Sequence, residues 1–166
     1  MSGSAAEDLA SRGLRAKVLT VSDGVASGTR EDSGGAAVAD LLVSHGFQVV
    51  EKRTIPDGDR EVAAALEVMA SGFAGLIVTT GGTGFGPRDQ TPEGTKSVLE
   101  RDAPGLSEAM RLVSPLGRLS RGVAGTKQRA LICNVPGSPK GAVECLEAIL
   151  DVVPHALELL GGGRPH

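Results

Sequence analysis

The sequence predicts an α/β fold built from parallel βαβ units with helices on both faces of one sheet. Short β-branched runs alternate with stretches of helical periodicity, and the runs are apolar enough to be covered on both sides. Glycine-rich loops follow the runs. At 166 residues the chain can bury one sizeable core but is too short for two ordinary domains.

Residues 1–14 are small, polar and aperiodic, and are expected to form a disordered tail ahead of a domain spanning 15–166. Lys17-Val18-Leu19-Thr20-Val21 reads as the first strand. Asp32 and Ser33 are possible caps for a helix carrying Val38, Leu41, Leu42 and His45 on one stripe. Strand character returns from Phe47 to Ile55. Asp59 is expected to cap a helix burying Val62, Leu66 and Met69. Gly75-Leu76-Ile77-Val78-Thr79-Thr80 is the clearest strand, stopped by two glycines. Thr91-Pro92-Glu93 supplies a cap, a proline for the first turn and an acid there. Another helix starts at Pro104 and runs through Leu106, Ala109, Met110 and Val113. Arg129 to Val135 is a strand, and Ser138-Pro139 opens a helix with Val143, Leu146, Ile149 and Leu150. Pro154 separates a last helix that ends before Gly161-Gly162-Gly163.

Composition excludes several classes. A net charge of −3 gives no long-range attraction to nucleic acid or anionic lipid. With no Trp or Tyr and three Phe there is no base-stacking surface. Cys133 and Cys145 form no C-x-x-C pair, and Cys133 sits in an apolar run as a small core residue. His45, His155 and His166 share no zinc-ligand spacing. Ser22 has no evident His partner for a hydrolase triad. Glu7 and Asp8 stand where a signal peptide would be apolar, and no run nears the ~20 residues of a membrane span. The chain therefore reads as cytoplasmic.

Ligands of parallel sheets bind beyond the carboxyl ends of the strands, so the chemistry is sought in the loops there. These loops are Ser22-Asp23-Gly24, Pro56-Asp57-Gly58-Asp59, Gly81 to Asp89, and Asn134 to Gly141. The third is the richest. Gly81, Gly82, Gly84 and Gly86 let backbone N–H groups approach an anion, and Thr83 and Arg88 can add phosphate bonds. It fits neither G-x-G-x-x-G nor the G-x-x-x-x-G-K-[ST] loop, so its ligand is not named by pattern. Asp23, Asp57, Asp59 and Asp89 lie on the same edge. Mg²⁺ takes one or two carboxylates together with waters and phosphates, and Asp57 and Asp89 are the choices for positioning it or for contacting the ligand. Asp59 could instead serve as a helix cap, and Asp23 could close an Asx turn. Lys140, beside Gly137 and Ser138, offers a second anion site or a solvated surface residue.

Taken in order, these loops resemble the molybdenum-cofactor biosynthesis family, which includes bacterial molybdopterin adenylyltransferases, their B-type paralogues and the first domain of gephyrin. The matching segments are Thr20-Val21-Ser22-Asp23, Ile55-Pro56-Asp57, Thr79 to Gly84, Pro87-Arg88-Asp89-Gln90-Thr91-Pro92-Glu93, Leu119-Ser120-Arg121 and Asn134 to Pro139. The resemblance implies a three-layer, Rossmann-like α/β/α sandwich around a mainly parallel sheet, assembled as a homotrimer. It implies Mg-ATP-dependent adenylylation of molybdopterin with release of pyrophosphate, and a molybdenum-insertion protein downstream. It makes Asp57 and Asp89 catalytic. It also places Ser22, Asp23, Gly81, Gly82, Thr83, Gly84, Arg88, Glu108, Ser120, Arg121, Asn134, Pro136, Gly137, Ser138 and Lys140 at the substrates. The alternative is a paralogue that binds molybdopterin without transferring an adenylyl group. A phosphate-ester hydrolase of the competence-protein type and a scaffold role rank below both.

Overall fold

The computed structural model describes residues 13–163. Of the expected tail, residues 1–12 lie outside them, but Leu14 is buried and its carbonyl accepts the Gln48 N–H at 2.8 Å. Leu14, on the tail side of the expected boundary, therefore packs with the domain.

In chain order the elements are β1 (Arg15–Val21), α1 (Asp23–Ala26), α2 (Ser33–Ser44), β2 (Gln48–Ile55), α3 (Asp59–Ala70), β3 (Gly75–Thr80) and α4 (Thr91–Val98). They continue as β4 (Arg101–Asp102), α5 (Pro104–Arg111), a 3₁₀ turn (Pro115–Leu119), β5 (Ala124–Lys127), β6 (Ala130–Val135), α6 (Pro139–Glu147) and α7 (Val153–Leu160). The sheet order is β2-β1-β3-β6-β5-β4. The first four strands pair in parallel, as expected, while β4 and β5 add antiparallel pairing at the far edge. The sequence did not announce these two. Arg101 and Asp102 are exposed, and β5 carries Gly125, so neither has an apolar run of its own.

Strand alternation divides the interior into two cores. Val18, Leu76, Val78, Leu131 and Cys133 face a layer made by α2, α5, α6 and α7. Leu19, Ile77 and Ile132 face Val62, Leu66 and Met69 of α3 and Val98 of α4. β3 and β6 are buried at every position, in keeping with central parallel strands covered on both faces. Cys133 is one of these core residues, and burial pushes its thiol up to about 12.

Several local expectations shift. Gly58 caps α3, and Asp59 is its first helical residue. Thr91 likewise begins α4 after Gln90, because its hydroxyl is used to hold the Gly81 carbonyl at 2.9 Å. Gln90 serves the other helix, accepting the Asp59 N–H at 3.0 Å. His45 is exposed at the end of α2, its Nδ1 3.0 Å from the Leu41 carbonyl, and does not extend the apolar stripe. Val113 lies beyond α5. Ala142 and Cys145, rather than Val143, turn inward from α6.

The glycine loop is anchored by α4, whose distance from α3 depends on Gly94. A Cβ there would stand 2.5 Å from the Asp59 carbonyl oxygen and 2.7 Å from Val62 Cβ. Gly94→Ala is expected to lower stability by about 1–3 kcal/mol in a urea titration, because two backbones must separate.

Candidate active site at the carboxyl edge of the sheet

The loops after β1, β2, β3 and β6 meet at one edge, held together mainly by backbone. The Ser22 N–H donates to the Ile55 carbonyl at 3.0 Å, and Gly81 N–H to that of Val135 at 3.1 Å. Thr80 Oγ1 donates to the Pro136 carbonyl at 2.8 Å. Gly81 has φ +103° and could not carry a side chain, since its Cβ would stand 2.2 Å from the Val21 carbonyl oxygen. Between the loops lies a cleft of about 400 Å³, lined by Ser22, Asp57, Gly81, Gly82, Asp89, Gly137 and Ser138 among others.

Asp23 and Asp57 bind one another's backbone. The Asp23 N–H donates to Asp57 Oδ2 at 2.9 Å, and the Asp57 N–H to Asp23 Oδ1 at 3.1 Å. Asp23 thus opens α1 after its Ser22 cap instead of closing an Asx turn. Arg88 completes the group, gripping Asp23 with Nε at 2.9 Å and Nη2 at 3.0 Å, and donating to the Asp57 carbonyl at 2.8 Å. This pair is exposed, so it positions loops more than it stabilises the fold. Arg88 holds the Asp23 carboxyl below its ordinary value. Burial, reinforced by the charges of Asp23 and Asp89, moves Asp57 upward.

Asp89 is set by its own turn. Its Oδ2 accepts the Gly86 N–H at 2.9 Å, and its N–H donates to the Gly86 carbonyl at 3.0 Å. Arg121 fastens this turn to α4. Its Nε donates to the Gly84 carbonyl at 2.8 Å and its Nη2 to that of Asp89 at 2.6 Å, while Nη1 reaches Glu93 Oε2 at 2.7 Å.

A two-carboxylate donor set for Mg²⁺ fits this arrangement. Asp57 and Asp89 each commit Oδ2 to a backbone N–H, and neither Oδ1 accepts a hydrogen bond among the described residues. No cluster of three or more His, Cys, Asp or Glu there could form a closed protein cage.

The remaining expected residues divide. Thr83, Ser120, Pro136 and Lys140 line a second groove of about 510 Å³, together with Ser138. Lys140 there lies 3.9 Å from Glu144. Asp23, Gly84, Arg88 and Arg121 line neither space and act as its frame. Glu108 is exposed on α5 and joins neither. Asn134 is a core residue: its amide donates to Thr79 Oγ1 at 2.8 Å and Thr95 Oγ1 at 3.1 Å, and accepts the Val123 N–H at 3.1 Å. Both of its amide donors are used inside the core, where it is 2% exposed. Conversely, Arg30, Glu31, Ser33 and Gly34 line the first cleft and were missed as site residues. The polar run Arg30 to Ser33, ending in Gly34-Gly35 after the first strand, was the signal available.

The model of the family described as "Probable molybdopterin binding domain" matches residues 17–155. The chain belongs to this family. A relative named molybdopterin adenylyltransferase from Helicobacter pylori strain J99 is 38% identical over 152 residues, 87% of this chain and 86% of that one. The enzyme of the same name from Escherichia coli K12 is 36% identical over 169 residues, 90% of this chain and 86% of its own. The crystal structure of the molybdopterin biosynthesis enzyme MoaB from Thermus thermophilus superposes with a TM-score of 0.85 at 47% identity, covering 90% of this chain and 97% of the other. These neighbours share the α/β architecture in which the family's loops are set. Among the described residues no helix is long and apolar enough to cross a membrane.

Two outcomes follow from the frame. Asn134→Ala leaves the Val123 N–H unpaired and should cost about 1–3 kcal/mol by urea denaturation. Arg121 holds Glu93 below its ordinary value near 4.5, so that stabilisation is present above this value and is lost as pH falls through the lower folded one. Wild type should exceed Glu93→Gln by under about 1 kcal/mol at pH 7, with the gap closing in acid.

Proposed function

We propose that the chain is a molybdopterin adenylyltransferase using Mg-ATP. The observation carrying this is the pair Asp57 and Asp89 facing one cleft at the carboxyl edge of parallel strands, each with one carboxylate oxygen uncommitted. Relatives that bear this name and align over most of the chain support it.

In the reaction a terminal phosphate oxygen of molybdopterin forms a bond to the α-phosphorus of ATP. The bond from that phosphorus to the oxygen bridging the β-phosphate breaks, and pyrophosphate leaves with the electron pair. Such transfer needs positioning and charge neutralisation more than a covalent nucleophile on the protein. Asp57 and Asp89 would hold Mg²⁺, which supplies charge neutralisation at the phosphates. Gly82 lets the backbone approach Asp57, whose Oδ1 lies 3.1 Å from the place of a Gly82 Cβ. Arg88 fixes Asp57 through its carbonyl, and Arg121 fixes Asp89 through its own. Ser22, Gly137 and Ser138 offer polar contacts along the same wall. The second groove, with Thr83, Ser120, Pro136 and Lys140, would receive the part of a substrate extending past Ser138. We take the protein to act in the cytoplasm as a homotrimer and to pass its product to a molybdenum-insertion protein, on the family resemblance.

The test is purified protein with molybdopterin, Mg²⁺ and labelled ATP, following adenylylated pterin and pyrophosphate. Asp89→Asn should lower transfer by about 100-fold or more while pterin binding persists. Pterin binding without any turnover by the wild type would assign the chain to the non-catalytic paralogues instead.

A further inference from the structure

The proposed reaction brings two phosphate-bearing substrates to a cleft lined by Glu31, Asp32, Asp57 and Asp89. The cations that the sequence offered are engaged elsewhere. Arg88 grips Asp23, Arg121 is spread over Glu93 and two carbonyls, and Lys140 faces the second groove. The cation among the residues lining the first cleft is Arg30. Among the described residues Arg30 makes no ion pair, and its guanidinium donates no hydrogen bond.

Its loop is nevertheless built. The Gly24 carbonyl accepts from Ser27 Oγ at 3.2 Å, Thr29 Oγ1 at 3.1 Å, Thr29 N at 2.9 Å and Arg30 N at 3.1 Å. The stem of Arg30 then lies along Gly24, its Cδ 2.7 Å from where a Cβ would stand. Asp32 ends the loop by capping α2, accepting the Gly35 N–H at 2.9 Å and the Thr20 hydroxyl. A guanidinium is thus carried on an anchored segment into an otherwise acidic cleft. Its planar fork of donors matches phosphate oxygens, and its charge offsets the carboxylates there.

We propose that Arg30 is the phosphate-binding residue of this cleft, taking a phosphate monoester or polyphosphate group of a substrate; the assignment rests on the adenylyl-transfer reading. The two sources of that group are the terminal phosphate of the pterin and the phosphates of the nucleotide, and separate titrations distinguish them.

The experiment is calorimetric titration of the full chain with pyrophosphate and, separately, with molybdopterin, for wild type, Arg30→Ala and Arg30→Lys. Because Arg30 is exposed, the variants should melt with the wild type. Arg30→Ala should weaken one of the two ligands about ten-fold or more, with a shallower salt dependence, and Arg30→Lys should recover part of the loss. In the transfer assay KM for the substrate bearing that group should rise while kcat changes little. Equal affinity of wild type and Arg30→Ala for both ligands would make Arg30 a solvated surface residue and overturn the proposal. Failure of the wild type to bind either ligand would instead remove the adenylyl-transfer reading, and the role of Arg30 with it.

Discussion

The site depends on a contact that only glycine permits. At Gly81 the chain leaving β3 turns with positive φ directly against the Val21 carbonyl, where no Cβ has room. Gly137 closes on it from the other side, its missing Cβ 3.3 Å from Gly81 Cα, and a Cβ on Gly34 would meet the Gly137 carbonyl at 2.5 Å. Three loops separated widely in sequence are thereby pressed together backbone to backbone. Glycines line much of the cleft between them, and its polar side chains are acids, hydroxyls and one arginine.

Around that contact the charged residues take different tasks. Arg88 and Arg121 resemble each other in use: each grips a carboxylate and the carbonyl of one of the two aspartates facing the cleft, Arg121 holding the Gly84 carbonyl as well. Each aspartate is thus held through its carbonyl and one carboxylate oxygen, which leaves the other oxygen uncommitted. Phosphoryl reactions reward such fixed charge, since little reorganisation is left for the moment of transfer.

Much of this architecture was readable in the sequence. The parallel strands showed as short apolar runs, and alternation such as Leu76-Ile77-Val78 encoded both covering layers. Asp57 and Asp89 were legible because carboxylates after strands of a parallel sheet collect at one edge. Long-range pairing was not legible. Nothing local tells Arg121 that Glu93 and the Gly84 carbonyl await it, or Asn134 that Thr79 and Thr95 will absorb its amide. Arg121 and Asn134, expected at a ligand, are bonded to the framework through such contacts. Arg30 was passed over for the converse reason, since its value comes from the neighbours it lacks. The short antiparallel pair β4–β5 escaped notice because β6, not an apolar run of its own, orders it.

The alternation of the strands has a mechanical consequence. Neighbouring residues of β3 and β6 belong to opposite cores, so the sheet is a bulkhead between two compartments. A void opened under α3 leaves the packing beneath α2 and α6 in contact with an intact wall, and damage on the two sides accumulates independently. The cleft sits on the rim of that wall, where both compartments end. Each layer still touches the site directly, through Ser33 and Gly34 at the start of α2 and Thr91 at the start of α4.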